Sequence, residues 1–207
     1  MRLRKLKNSG EIINNSKYII NNPYEYKNKW KEVFNNSNPI HIEIGMGKGK
    51  FILENAIKYP NINFIGVEKF DSAISRAIKK IDEYELNNLK LIRMDACELD
   101  KVFNKEIDVI YLNFSDPWPK DRHEKRRLTG ENFLKVYDKV FKKDNIIIQK
   151  TDNRKLFEYS LYSLVKYGYK IDYVNLDLHK DNNEEITTEY EEKFMRETPI
   201  YKAVYKK

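Results

Sequence analysis

The chain has a single cysteine, Cys97, which excludes an internal disulfide and leaves a buried structural thiol as its expected status. Its three histidines, His41, His123 and His179, are too dispersed to offer a metal-ligand spacing, so no metal site is expected. No apolar run approaches the roughly 18 residues of a membrane span. The basic start lacks the apolar core of a signal peptide, and a cytoplasmic location is expected. Internal repeats are absent, and no linker divides the chain. What is present is globular in composition: 207 residues, 41% of them hydrophobic, suit one domain with an independent core. Whether it works as a monomer or a homodimer is left open at this level.

Lys and Arg outnumber Asp and Glu by 39 to 32, giving a net charge of +7. That excess steers anionic partners toward the surface but does not determine fold. Its distribution says more. Arg2, Arg4, Lys5 and Lys7 crowd the start, and Lys120, Arg122, Lys125, Arg126 and Arg127 form a second cluster, whereas 181–197 is mostly acidic. Taken alone, a basic excess is equally well explained as lysine used for solubility.

Residues 1–37 are polar and weakly periodic, and are expected to form a basic N-terminal extension with a short helix near Tyr26–Phe34, ahead of a domain over 38–207. From Pro39 onward strands and helices alternate. Ile40–Ile44, Asn63–Val67, Leu89–Arg93, Val109–Asn113, Asn145–Gln149, Tyr169–Leu176 and Ile200–Tyr205 read as strands. Helices are expected over Phe51–Tyr59, after an Asp71–Ser72 cap (Ile74, Ala77, Ile78, Ile81 on one face), over Phe133–Phe141, and over Leu156–Val165 with Gly168 as the stop. This alternation predicts an α/β fold with a doubly wound, mostly parallel sheet and helices on both faces. Ligands of such sheets bind at the carboxyl ends of the strands, near the point where strand order reverses.

Each motif sits at such an end. Glu43-Ile44-Gly45-Met46-Gly47-Lys48-Gly49 follows the first strand, where glycine permits a tight turn and close approach of a ligand. The spacing is not the G-x-G-x-x-G of a dinucleotide site, and an acid two positions before Gly45 is awkward for a pyrophosphate. It suits a cationic ligand such as S-adenosylmethionine. Glu68 closes the second strand, where a carboxylate can accept from ribose hydroxyls; Asp95-Ala96 follows the third, where an adenine amino group would fall. Any one of these could be only a tight turn or a helix cap, but three in register are harder to dismiss.

The fourth strand delivers Asp116 and then Pro117-Trp118-Pro119, whose prolines restrict the backbone around a tryptophan able to stack on a base. Asp116 could equally be a turn acid and Trp118 packing. That alternative leaves the five cations from Lys120 to Arg127 unexplained, and beside a cofactor cleft a phosphate-binding ridge is the better reading. Asp152, after the fifth strand, reads as a helix cap. Thr188-Glu189-Tyr190-Glu191 reads as a polar loop, although carboxylates can accept from the N–H edge of guanine.

With these residues in view, the chain resembles the bacterial tRNA (guanine-N(7)-)-methyltransferases, S-adenosylmethionine-dependent enzymes of the class I fold. The most specific part is Asp116-Pro117-Trp118-Pro119-Lys120, then Arg122-His123 and Lys125-Arg126-Arg127-Leu128-Thr129. Glu43-Ile44-Gly45-x-Gly47-x-Gly49, Gly66-Val67-Glu68 and Thr188-x-Tyr190-Glu191 agree. The resemblance implies a seven-stranded Rossmann-like sheet with an antiparallel C-terminal strand, and methylation of a guanosine in the tRNA variable loop. It implies cofactor contacts from Glu43, Gly45, Gly47, Gly49, Glu68, Asp95, Ala96 and Asp116, with Asp116 also catalytic. Lys120, Asp152, Thr188, Glu189, Tyr190 and Glu191 would contact the substrate, and Arg122, His123, Lys125, Arg126 and Arg127 the RNA. The rivals are an amino-methyltransferase on another nucleic acid, whose Asp-Pro-Pro-aromatic signature Asp116-Pro117-Trp118 matches poorly, and a non-catalytic RNA-binding protein with this fold.

Overall fold

The computed structural model describes residues 8–180 and 185–207; Arg2, Arg4, Lys5 and Lys7 of the N-terminal cluster lie outside them, as does the start of the acidic stretch. In chain order the elements are α1 (Ser9–Asn15), α2 (Trp30–Phe34), β1 (Ile40–Ile44), α3 (Lys50–Lys58), β2 (Asn63–Glu68), α4 (Asp71–Ile81), β3 (Leu89–Arg93), α5 (Leu99–Val102), β4 (Ile107–Asn113), α6 (Glu131–Val140), β5 (Phe141–Thr151), α7 (Arg154–Lys166), β6 (Lys170–Asn175), α8 (Glu189–Phe194) and β7 (Tyr201–Lys206). Short 3₁₀ turns cover Pro23–Tyr26, Ala96–Glu98 and Asp121–Arg126.

The seven strands form one sheet in the order β3-β2-β1-β4-β5-β7-β6. β1 pairs parallel with β2 and with β4, and β7 runs antiparallel to both β5 and β6. The chain therefore builds outward from β1 to β3, crosses back, and continues from β4, which opens a crevice at the carboxyl ends of β1 and β4. Ile40, Ile42, Ile44, Ile110 and Leu112 face a core made with α2, α5, α6 and α7. On the opposite face Phe64, Leu89 and Leu91 pack under α1, α3 and α4.

Two boundaries moved for physical reasons. β5 starts at Phe141, not Asn145, because the polar residues 142–144 occupy a bulge: the register with β4 jumps from Ile107↔Phe141 to Val109↔Ile146. α8 replaces the expected polar loop because Thr188 and Glu191 form a reciprocal capping box.

The described part of the N-terminal segment is packed against the sheet. Tyr18 is 1% exposed; its N–H and C=O neighbours reach β3, with Leu91 N–H donating to Tyr18 O at 2.8 Å and Ile20 N–H to Leu91 O at 3.0 Å, which covers the sheet edge. Trp30 is wholly buried against Phe103, ring centroids 4.9 Å apart, and its indole N–H donates to Val102 O at 3.1 Å. Among the described residues no helix is long and apolar enough to cross a membrane.

Trp30→Ala should therefore lower unfolding free energy by about 3–5 kcal/mol in urea denaturation. A loss below about 1 kcal/mol would mean that residues 8–37 contribute little to the domain.

Candidate active site and nucleic-acid interface

Gly45, Gly47 and Gly49 take left-handed φ of 77°, 58° and 78°, which side chains rarely adopt. Gly45 N–H bonds Val67 O at 2.8 Å, so the turn is sewn onto the end of β2. A Cβ on Gly49 would lie 2.8 Å from Ala77 Cβ, whereas at Gly45 and Gly47 it would meet open space. Gly49 thus serves packing against α4, and the first two glycines leave backbone bare toward the crevice.

Glu43 lies beneath this turn, 1% exposed. Asn113 Nδ2 donates to its Oε1 at 2.9 Å, while Glu43 Oε2 and Asn113 Oδ1 are buried without any partner. Burial pushes the Glu43 carboxyl up to about 8, opposed in part by the Asn113 bond. Neither oxygen has a partner, which fits a cationic or N–H-bearing ligand group that Glu43 would meet as the carboxylate.

Glu68 ends β2 and is fixed by three backbone donors: Gly47 at 3.0 Å, Lys69 at 2.8 Å and Phe70 at 2.9 Å. Burial raises its pKa, those bonds oppose the rise, and the charge of Asp116 adds to it. Asp95 caps the next turn by accepting from Cys97 N–H at 3.1 Å and pairs with Lys69 Nζ at 2.5 Å. Burial disfavours its charge, but the Lys69 bond and the Cys97 N–H outweigh this and lower its pKa. Cys97 is exposed, contrary to the buried thiol expected from composition, because the one-turn 3₁₀ helix that Asp95 caps carries it at the rim of an open cleft.

Gly45, Glu68, Asp95, Ala96, Asp116, Trp118, Lys125 and Arg126 line an open cleft of about 600 Å³, whereas Glu43, Gly47 and Gly49 are not part of its lining. Asp116 does not terminate β4, which stops at Asn113; the chain turns at Phe114 (φ 50°) and again at Trp118 (φ 43°), so Asp116 sits exposed on a corner between two left-handed residues. Phe114 N–H is held by Lys150 O at 2.8 Å. The Arg126 guanidinium lies over the Trp118 ring, 4.8 Å from its centroid, and His123 meets the ring edge-on at 5.7 Å. Lys120, Arg122 and Lys125 are exposed. Arg127 turns back onto the corner, bonding the carbonyls of Pro117 and Trp118.

The remaining motif residues gather beside the cleft rather than in it. Glu191 is fully buried: its carboxylate meets Lys150 Nζ at 3.1 Å and His179 Nε2 at 2.8 Å, and accepts from Thr188 N–H at 3.1 Å. Thr188 Oγ1 accepts from Glu191 N–H at 3.0 Å, and Glu189 pairs with Lys80. Tyr190 projects outward, 5.0 Å from the Phe114 ring, and donates to Asp152 Oδ2 at 2.7 Å; burial and Asp152 push its hydroxyl up to about 12. Asp152 is not the cap of α7. Asn153 is, accepting from Leu156 N–H at 2.9 Å, which leaves Asp152 for Tyr190.

Sequence reasoning passed over Lys69, Phe70, Phe114, Ser115 and Cys97, all of which line the cleft, and the buried pair Asn113 and Lys150. The first of this pair carried a signal: Asn113 is a polar residue directly after an apolar strand run, and Lys150 follows one after Gln149. Among the described residues no cluster of His, Cys, Asp and Glu could hold a metal ion.

A carboxyl raised from 4.5 to about 8 holds a proton that the unfolded chain releases. The stability this contributes is fully present below about pH 4.5 and is lost as pH rises toward 8. Relative to wild type, Glu43→Gln should therefore gain stability, on the order of 3 kcal/mol, between about pH 5.5 and 8.5. A pH-independent difference in urea denaturation would contradict a neutral Glu43.

The chain was compared with known proteins. A family model described as "Putative methyltransferase" matches residues 37–203. The tRNA (guanine-N(7)-)-methyltransferase of Lachnoclostridium phytofermentans is 50% identical over 99% of this chain and 97% of its own length. The protein of the same name from Bacillus subtilis (strain 168) is 53% identical over 93% of this chain and 92% of its own. A solved structure described as an antibiotic-related methyltransferase superposes with a TM-score of 0.67 at 21% identity, over 87% of this chain and 94% of that one, and shows the same fold. By sequence across nearly its whole length, and by a sheet of the same architecture, the chain belongs to the tRNA (guanine-N(7)-)-methyltransferase family.

Proposed function

We propose that this protein methylates N(7) of a guanosine in the variable loop of tRNA, in the cytoplasm, with S-adenosylmethionine as donor. The observation that carries the reading is the cleft, whose lining combines Gly45, Glu68, Asp95 and Ala96 with Asp116, Trp118, Lys125 and Arg126.

The residues present fit the donor. Glu43 Oε2 and Asn113 Oδ1 are buried without a partner, and Gly45 and Gly47 leave space no Cβ fills. Glu43 would face the cationic end, Glu68 the ribose hydroxyls and Asp95 with Ala96 the adenine. Bound there, S-adenosylmethionine supplies a methyl group made electrophilic by its sulfonium.

Guanine N(7) already offers a lone pair, so the chain needs no base to remove a proton. Its work is alignment, and stabilisation of the positive charge that builds on the purine. Asp116, exposed on the corner and within electrostatic reach of Glu68, is placed to favour that charge. Lys120, Asp152 and Tyr190 are the substrate contacts, the last two preset by their mutual hydrogen bond. Thr188, Glu189 and Glu191 act through the fold of α8, which presents Tyr190. Lys120, Arg122, His123, Lys125 and Arg126 form the strip that meets the tRNA backbone.

Incubation with labelled methyl donor and unmodified tRNA, followed by digestion, should place the label in 7-methylguanosine; label in another nucleoside, or none, would overturn the assignment. Asp116→Asn should slow single turnover by roughly 100-fold or more while tRNA affinity stays within about threefold. Equal single-turnover rates would remove Asp116 from the chemistry. Arg122→Ala combined with Lys125→Ala should weaken tRNA binding and reduce the salt slope by about 1–2. Unchanged affinity across a salt series would dismiss the basic strip.

A further inference from the structure

Arg127 belongs by sequence to the basic run, and charge alone would send it to an RNA phosphate. Its surroundings differ from those of its neighbours. The guanidinium donates from Nε to Pro117 O at 3.2 Å and from an Nη to Trp118 O at 3.1 Å. Its face lies on the Tyr159 ring of α7, 4.2 Å from the centroid. The turn that carries it is closed by Arg127 N–H to Glu124 O and Gly130 N–H to Arg127 O, both 2.9 Å. Gly130 is needed for this: an added Cβ would stand 3.0 Å from Arg127 O and 3.4 Å from the Tyr159 hydroxyl.

The two carbonyls that Arg127 holds flank the left-handed Trp118. A non-glycine residue in that region costs on the order of 1–3 kcal/mol and persists only where the surroundings impose it. Asp116 lies between this residue and the equally left-handed Phe114. The Phe114 end is fixed by the β5 backbone through Lys150 O. The Trp118 end is a loop, Pro117 and Pro119 have no N–H to anchor it, and the planar two-pronged donor of Arg127 takes that place.

We propose that Arg127 is a positioning residue: it locks the Pro117–Trp118 corner, and through it the direction of Asp116, from a stacked seat on Tyr159, and it does not contact RNA phosphate. The inference rests on the reading of Asp116 given above. With Nε and one Nη bonded to the corner's carbonyls and one face on an aromatic ring, Arg127 sets geometry, while Arg122 and Lys125 supply the electrostatic grip. Lysine cannot replace it, because a single ammonium lacks the fork that spans two carbonyls.

The test compares Arg127→Ala, Arg127→Lys and Tyr159→Leu with Asp116→Asn and with the Arg122/Lys125 double variant. Calorimetric titration with S-adenosylmethionine serves as the check that each is folded. For Arg127→Ala, kcat at saturating tRNA should fall about 30–100-fold, as expected of a misplaced reacting group. Its tRNA affinity should stay within about threefold, and its salt slope should be unchanged. Arg127→Lys should recover less than about threefold of that loss. Tyr159→Leu removes no charge, yet should lower kcat about 10-fold by unseating the guanidinium. If Arg127→Ala does not fold, the Lys and Tyr159 variants decide.

A drop in tRNA affinity with a salt slope reduced by about 1 and kcat retained would make Arg127 a phosphate contact and overturn the proposal. Full kcat in Tyr159→Leu and Arg127→Lys would also overturn it. Were Asp116→Asn alone to keep full single-turnover rate, the Asp116 reading would fail. Were Asp116→Asn slow and the Arg127 and Tyr159 variants fast, only the present inference would fail.

Discussion

Four carboxylates gathered at the carboxyl ends of four adjacent strands set the terms for the rest of this protein. The crossover between β3 and β4 puts Glu68, Asp95 and Asp116 around one crevice, with Glu43 buried at the end of β1, and like charges so placed resist ionising together. Each is handled differently. Glu68 is held by three backbone N–H groups, Asp95 by Lys69, and Asp116 by exposure to water. Glu43 has only the Asn113 amide, and burial keeps it protonated near neutrality. The arrangement becomes balanced when a cation enters, which is the property a sulfonium methyl donor requires of its site.

A second dependence runs through Lys150. Its carbonyl holds the left-handed Phe114 at the start of the corner that carries Asp116, and its ammonium, 2% exposed, pairs with Glu191 and Glu185 and donates to Ile186 O at 2.9 Å. One residue at the end of β5 thus supports both the corner that presents Asp116 and the segment that presents Tyr190. Removing one member of such a buried pair typically costs about 3–5 kcal/mol, since the other is left charged and unpaired. The Tyr190–Asp152 bond and the Tyr190–Phe114 contact tie the two sides together again near the surface.

Much of this was legible in the chain. Strand–helix alternation with apolar runs gave all seven strands, the five parallel ones because a buried parallel sheet leaves little freedom of pattern. The glycine turn, Glu68, Asp95 and Asp116 stood out as candidates because each comes at the end of such a run. What escaped notice depends on contacts between residues distant in sequence. Trp30 and Tyr18 lie in a polar stretch and look like an extension until β3 and α5 are beside them. Arg127 is indistinguishable from Arg126 by residue type, and only the fold shows one over the cleft and the other bonded to the corner. α8 was an avoidable miss, since Thr188-x-x-Glu191 is a capping-box pattern in plain sight.

The central claim is that the cleft holds a proton on Glu43 that a cationic donor displaces. Calorimetric titration with S-adenosylmethionine at about pH 7, in two buffers of different ionisation heat, measures it directly. Wild type should release a proton on binding relative to Glu43→Gln. Equal proton exchange in the two proteins would contradict the account.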